Sequence, residues 1–428
     1  MNYGTQFSTT ILPTQVVDLL KRQSINNIRL YDADPAMLKA LSRTGIEVMI
    51  TLPNTQLLSV GESNVSATSW VQANVLPYLP FTNITSICVG TEVLTSYTNA
   101  ALVLVPAMKF LHSALSSSNL TNNIKVSTSH DPSLILDSFP PSQAYFNKTF
   151  GAPIIQPLLD FLSQTSSFFM LNIFSYDIYR SSNGIILLDY ALLNPITPDN
   201  VVVDTNTLYQ YRNLFDAVID AVFFALVKMN HTDIPVVVSA TGWPSSGEQD
   251  SDPDATLDNA STYNSNLIAH ILNNPGTPKR RNVSINTFLF ELFVEDTRVG
   301  PSTDKNYGLF NASTMGPVYL LKLSNSGPLL ANDTASKLYC VAKGGKDVED
   351  ALQIALDWAC GVGRANCSAI QPGQLCYEPD NVRAHASFAF DSFYQNNGRS
   401  QGSCDFNGLA TISTTNPSKS PSDSSFLF

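Results

Sequence analysis

The chain has 428 residues, with 24 Lys and Arg against 35 Asp and Glu and a formal net charge of −11. That acidity excludes nucleic acid and anionic membrane surfaces as principal partners. A composition with 44% apolar and only 14% charged residues excludes a disordered chain, and the length suits two or three domains, or fewer if one is a large α/β barrel.

The first apolar run, 1–4, precedes a helical pattern at 14–23, with Pro13 where a helix start tolerates proline. Runs at 27–32 and 46–53 flank a helical segment at 36–43, opened by Pro35 and followed by Gly45. Further runs at 84–92, 124–130, 168–176, 234–241 and 284–295 continue the series. Period-3.6 apolar spacing at 101–116, 208–229 and 262–273 supplies helices among them. Eight strands alternating with helices predict an α/β fold, a (β/α)₈ TIM barrel. The competing doubly wound sheet lacks a Gly-X-Gly-X-X-Gly after its first strand. No uninterrupted apolar stretch reaches transmembrane length; the best, 214–227, contains Asp216 and Asp220.

From about Met315 the pattern breaks into Ser, Asn, Gly and Pro. The expected organisation is a barrel over 1–318, a linker over 319–336, a cysteine-rich module over 337–417 and a disordered Ser/Pro-rich tail over 418–428. Five of the six cysteines (Cys340, Cys360, Cys367, Cys376, Cys404) fall in the module, while Cys88 stands alone in an apolar run as a core residue. With no Cys-X-X-Cys pair and one His, the cluster reads as a disulfide framework and not as a zinc site. Asn-X-Ser/Thr triplets begin at Asn64, Asn83, Asn119, Asn147, Asn230, Asn259, Asn282, Asn311 and Asn332. Cysteines and triplets together predict a secreted glycoprotein whose leader has been removed.

Catalytic groups of a barrel sit at the C-terminal ends of its strands. Glu92 closes the run from Ile84 and reads equally as a general acid with a pKa raised by burial or as a helix N-cap or loop charge. Glu295 and Asp296 end the last predicted strand with Arg298 nearby, which by itself describes an ion pair at the barrel rim. His130 and Asp131 are adjacent in a strand and point to opposite faces, so they make a poor dyad, and Asp131-Pro132 reads better as a helix start. Asn172 and Tyr176 fall four apart on the sixth run. Tyr176 and Trp243 suit stacking on sugar faces and the core equally. There is no Gly-X-Ser-X-Gly elbow, no His-X-X-X-His pair and no P-loop, so serine-hydrolase, metal and nucleotide chemistries lose their best signatures.

With these residues in view the chain resembles the plant glucan endo-1,3-β-glucosidases of glycoside hydrolase family 17, followed by a carbohydrate-binding module of family 43. The resemblance rests on Asn2-Tyr-Gly4, Arg29-Leu-Tyr-Asp32, Val89-Gly-Thr-Glu-Val93, Thr241-Gly-Trp-Pro-Ser245 and Phe293-Val-Glu-Asp296 in the barrel. In the module it rests on Leu356-Asp-Trp-Ala-Cys360, Ile370-Gln-Pro-Gly373, His385-Ala-Ser-Phe-Ala389 and Cys404-Asp-Phe406. It implies a retaining mechanism with one Glu after strand 4 as acid/base and one after strand 7 as nucleophile. Glu92 matches the acid/base, but Ala240 stands at the nucleophile position, and a methyl group cannot attack an anomeric carbon. The rest of the motif is kept, so the alanine reads as an engineered Glu→Ala change; a natural glucan-binding protein is the alternative.

The same resemblance implies supporting roles for Glu295, Arg298 and Thr91, the last standing where the family has Asn, and substrate contacts from Tyr31, Asn172, Tyr176 and Trp243. It implies disulfides Cys340–Cys404 and Cys360–Cys367, leaving Cys376 without its partner. The expected partner is β-1,3-glucan, bound by a monomer with no metal, cofactor, nucleic acid or transmembrane segment. A mixed-linkage β-1,3;1,4-glucan is the alternative substrate, and the Ser/Pro-rich tail is compatible with a spacer before a lipid anchor at the cell surface.

Overall fold

The computed structural model describes residues 1–273, 276–321, 339–345, 348–363, 365–374, 376–396 and 401–413. The chain forms two compact units, Met1–Gly327 and Pro328–Phe428. The expected linker from residue 322 onward and the expected tail lie outside the described residues.

Eight strands build the sheet of the first unit: β1 Asn2–Tyr3, β2 Asn27–Leu30, β3 Glu47–Leu52, β4 Asn83–Thr91, β5 Lys125–His130, β6 Phe169–Ile173, β7 Val236–Thr241 and β8 Thr287–Leu289. Each pairs in parallel with its predecessor, so sequence order and spatial order coincide. Where β8 meets β1 the seam is stitched by Asn2. Its Nδ2 donates to Ser239 O at 3.0 Å and Leu289 O at 3.1 Å, and its carbonyl accepts from Leu292 N at 2.9 Å. The result is a nearly closed (β/α)₈ barrel. β6 and β7 are buried throughout, as expected of parallel strands covered on both faces. Cys88 lies in the barrel interior among Met49, Met170 and Val237.

The surrounding helices start where the sequence offers caps. α1 Pro13–Arg22 buries Val16, Val17, Leu19 and Leu20 and ends in Lys21 and Arg22, which complement the helix dipole. α2 Pro35–Ala40 is capped by Asp34, whose carboxylate accepts from Met37 N at 2.6 Å. α3 Asn54–Glu62, α4 Asn64–Asn74, α5 Ala101–Ser117, α6 Gln156–Gln164, α7 Ser175–Ser181, α8 Leu214–Lys228 and α9 Leu257–Asn273 complete the layer. Among the described residues one segment, Thr98–Ser117, is long and apolar enough to cross a membrane by length and composition, and half of it is buried inside the protein.

Three predicted elements end elsewhere. The helix expected over 208–229 begins at Leu214, because Asn213 caps it and Gln210–Tyr211 pairs antiparallel with Val202–Val203. The sixth strand stops at Ile173, which places Tyr176 on α7 and not on a strand face with Asn172. The last strand stops at Leu289, so Glu295 and Asp296 do not end it. The following segment bonds to the 305–310 stretch instead, Glu295 N donating to Lys305 O and Val294 N to Phe310 O.

In the second unit, β9 Tyr339–Ala342 pairs antiparallel with β10 Ala410–Ser413, beside α10 Glu349–Cys360 and α11 Val382–Asn396. The implied disulfides Cys340–Cys404 and Cys360–Cys367 are both formed, and Cys376 is free and half-buried. A core of Leu352, Leu356, Phe390 and Tyr394 surrounds the first bridge. Such a small core gains much of its stability from cross-links that restrict the unfolded chain.

Candidate active site

Sheet irregularities gather at the C-terminal ends of the central strands. The register shifts between Cys88 and Thr91 where β4 meets β5, and between Val238 and Ala240 where β7 meets β6. Bulges re-aim side chains at barrel rims. Here one bulge precedes Glu92 and the other sets Ala240 opposite Asn172.

Glu92 follows β4 with φ 52°, a left-handed conformation that costs a non-glycine residue of order 1–3 kcal/mol. Its N–H donates to Ser129 O at 2.9 Å, holding the turn. Its Oε1 accepts from Asn172 Nδ2 at 2.6 Å, and Asn172 Oδ1 accepts from Ser239 Oγ at 2.7 Å. Both ends of the Asn172 side chain are therefore engaged inside the protein, and it orients Glu92. Burial pushes the Glu92 carboxyl above its ordinary range, Asp131 adds to the rise, and the bond from Asn172 and the charge of Arg29 oppose it. Glu92 is also the residue before the short helix Val93–Ser96, though its side chain makes no capping hydrogen bond there.

Arg29 on β2 is buried beneath Thr91. Its guanidinium donates to Thr91 Oγ1 and Ser129 Oγ, both at 3.1 Å, and to Ser239 O at 3.1 Å. It also lies 4.9 Å from the centre of the Tyr31 ring, and the Tyr31 hydroxyl donates to Asn2 Oδ1 at 3.1 Å. Thr91 is gripped further by Asn54, which accepts from its N–H and donates to its carbonyl. One buried cation thus ties β2, β4, β5 and β7 together beneath the rim.

Ala240 is 1% exposed and packs with Phe290 and Tyr307, with Tyr31 and Phe174 against the same cluster. Phe174 meets Phe290 at 5.4 Å and Tyr307 at 5.2 Å between ring centres, in edge-on arrangements. A carbonyl, Phe290 O, occupies the space a side chain at Gly242 would need, so the Thr241-Gly-Trp turn admits only glycine there.

Beside this cluster, Glu295 Oε2 pairs with Arg298 Nη1 at 2.7 Å and its Oε1 accepts from Gln6 N at 2.8 Å. Arg298 also reaches Glu291 Oε1 at 4.0 Å and lies over the Phe290 ring. Glu291 is fully buried, and neither carboxyl oxygen has a hydrogen-bond partner among the described residues. Burial drives its pKa well up, the neighbouring Glu295 adds to the rise, and Arg298 opposes it. A methyl group at Gly4 would fall on carboxyl oxygens of both glutamates, so they sit side by side above β1.

The geometry brings Glu92, Asn172, Thr91, Ala240 and Tyr31 together at the C-terminal ends of the strands, with Glu295 and Arg298 beyond Phe290. It does not bring Tyr176 or Trp243 there. Trp243 is 0% exposed, its ring flanked by Tyr176, Tyr179 and Tyr263 and its Nε1 donating to Asp254 O at 2.9 Å. Tyr176 is buried, with its hydroxyl on Asp252 at 2.8 Å. Neither offers a face to a sugar. Both are core, because aromatic side chains with a satisfied polar tip fill the space behind the turn after β7. His130 is likewise core. It stacks on Phe169, and burial lowers its pKa to about 3. Asp131 caps the turn Pro132–Leu134, as its sequence context suggests. Phe174, Phe290, Tyr307 and Glu291 carried no assignment from sequence. Arg29 had a visible signal, a cation inside the apolar run Asn27-Ile-Arg-Leu30.

A parallel barrel whose strand ends hold a half-buried acid beside a cluster of aromatic rings fits a glycoside hydrolase of the (β/α)₈ class. The chain belongs to glycosyl hydrolases family 17, matched over residues 1–323, and carries an X8 domain over residues 338–411. It is 55% identical over 418 residues to glucan endo-1,3-beta-glucosidase 2 of Arabidopsis thaliana, spanning 98% of this chain and 82% of that one. A glucan endo-1,3-beta-D-glucosidase of Olea europaea is 38% identical over 98% of this chain and 91% of its own. Among solved structures, a β-1,3-glucanase and allergen of Cryptomeria japonica pollen superposes with TM-score 0.71 at 40% identity, covering 76% of this chain and 98% of its own. A plant β-glucan endohydrolase gives 0.68 at 34%, covering 75% and 98%.

Proposed function

We propose that the barrel, as residues 1–318, binds a β-1,3-glucan chain along the cleft at its C-terminal face and that the module, as 337–417, holds the protein on polymer. In this reading the scaffold is that of a retaining endo-1,3-β-glucanase with Glu92 as acid/base. The raised pKa of Glu92 suits a group that must hold a proton until the glycosidic oxygen leaves with it. Asn172 and Ser239 fix the direction of that proton. Tyr31 supplies a ring at the cleft, and the Glu295–Arg298 pair keeps one side of it polar and rigid.

The observation that carries the reading is Ala240. It stands next to Asn172 across β6 and β7, ringed by aromatic side chains, where a carboxylate would face the sugar held against Glu92. Without that carboxylate no glycosyl-enzyme bond can form, so the chain binds glucan and does not turn it over by double displacement. A single Glu→Ala change in an otherwise kept site accounts for this arrangement. The two disulfides, and the fact that none of the described Asn-X-Ser/Thr asparagines is buried, support a secreted glycoprotein of the cell wall.

The test compares this chain with Ala240→Glu for reducing ends released from linear β-1,3-glucan. The expected result is a silent parent and a revertant at least about 10⁴-fold more active, the scale on which removal of a nucleophile acts. Silence from both with intact glucan binding would leave a binding protein and overturn the disabled-glucanase reading. Turnover by the parent would show that Ala240 does not stand at the nucleophile position. Release from mixed-linkage glucan and not from linear β-1,3-glucan would overturn the substrate assignment.

A further inference from the structure

A cavity of about 830 Å³ opens beside the cleft in the barrel unit and plays no part in the chemistry above. One wall is the segment after β6, with Ile178, Ile186 and Leu187; the other is the face of α8, with Leu214, Val218 and Ala221. Most of the lining is apolar, and Asp131, Asp177, Tyr190, Asn200 and four serines supply its polar groups. Asp131 and Asp177 line it together with Phe174, the ring that also packs against the Ala240 cluster, so one side chain borders both. Tyr190 lines it as well; that residue is 4% exposed, and its buried hydroxyl has no partner among the described residues. A buried hydroxyl left unpaired costs about 1–3 kcal/mol, a cost that a bound partner or water would relieve.

Volume, apolar lining and a few polar groups at the margin are the marks of a small-molecule site. A β-1,3-glucan chain, with hydroxyls all along it, would leave many of them unsatisfied against the apolar majority of this lining. The two aspartates repel anionic head groups. We propose that this cavity receives the apolar aglycone, an alkyl or aryl group, of a neutral β-glucoside whose sugar occupies the cleft beside Phe174. The sugar end rests on the function proposed above; the apolar end rests on the cavity alone.

The test is calorimetric titration of the full chain with n-octyl β-D-glucoside below its micellar concentration, with methyl β-D-glucoside, with 1-octanol and with a linear β-1,3-gluco-oligosaccharide. The octyl glucoside is expected to bind at least tenfold more tightly than the methyl glucoside, and 1-octanol to compete with it. Val218→Phe, which fills the cavity from α8, is expected to weaken octyl glucoside at least fivefold and leave the oligosaccharide unchanged. Ile186→Ser, on the opposite wall, is expected to weaken it about threefold. Thermal unfolding of each variant verifies that the fold is kept. Equal affinity for octyl and methyl glucosides, or an octyl affinity untouched by both variants, would overturn the proposal. Retained octanol binding without oligosaccharide binding would sink the glucan reading and support the cavity.

Discussion

Asn172→Ala isolates the contact that connects two strands to the proposed acid. In the native chain Asn172 Nδ2 donates to Glu92 Oε1 at 2.6 Å, and that bond lowers a pKa that burial has raised. A hydrogen bond to a charged group is worth about 1.5–3 kcal/mol, and Glu92 is only half-buried, so solvent screening favours the lower end. Removing that bond from the charged form raises the pKa further. The sign follows from which form loses support: the carboxylate loses a donor and the acid loses little. Ser239 Oγ would also lose its acceptor, adding about 1 kcal/mol to the cost in stability. Carboxyl NMR of ¹³C-labelled glutamate, assigned with Glu92→Gln, reads the titration directly in this chain. In the Ala240→Glu background the alkaline limb of the rate profile should move up with it. A Glu92 midpoint that stays in place or falls in Asn172→Ala would refute the role given to this bond.

Three further outcomes are expected. Trp243→Ala should lower stability by about 3–5 kcal/mol, read by denaturant unfolding, because the ring is fully buried among three tyrosines; glucan affinity lost without any loss of stability would return Trp243 to the cleft. Glu291 has a folded-state pKa raised well above 4.5, so its neutral form is stable in the fold below the unfolded value and that stability is lost as pH rises through the folded value. Glu291→Gln should therefore raise the melting temperature at pH 8 more than at pH 4, and the opposite ordering would show that Arg298 holds the charged form. A thiol reagent should titrate Cys376 alone in the native protein and Cys88 only after denaturation, since Cys88 is buried in the barrel interior and Cys376 is half-buried. Two reactive thiols in the native protein would contradict the position of Cys88.

The sequence by itself determined the barrel. Its strands are continuous apolar runs and its helices carry one apolar stripe, periods that differ and can be read without contacts. It also determined the disulfide module, because cysteines crowd into one short stretch, and it exposed Ala240, because a chemically inert residue interrupts an otherwise familiar run. Only the tertiary structure decided where strands stop. The apolar character of 168–176 and 284–295 continues past the last ladder bond, so Tyr176 and Glu295 looked like strand-end residues when one lies on a helix and the other follows an irregular segment. Only packing separated the aromatic residues by role. Trp243 and Tyr176 lie under the rim while Phe174 and Tyr31 border it, a distinction of a few ångströms in depth that residue type cannot encode. The same holds for Arg29 and Glu291. Their partners come from strands and loops far apart in the chain, and burial, the cause of their charge chemistry, exists only once those segments have met.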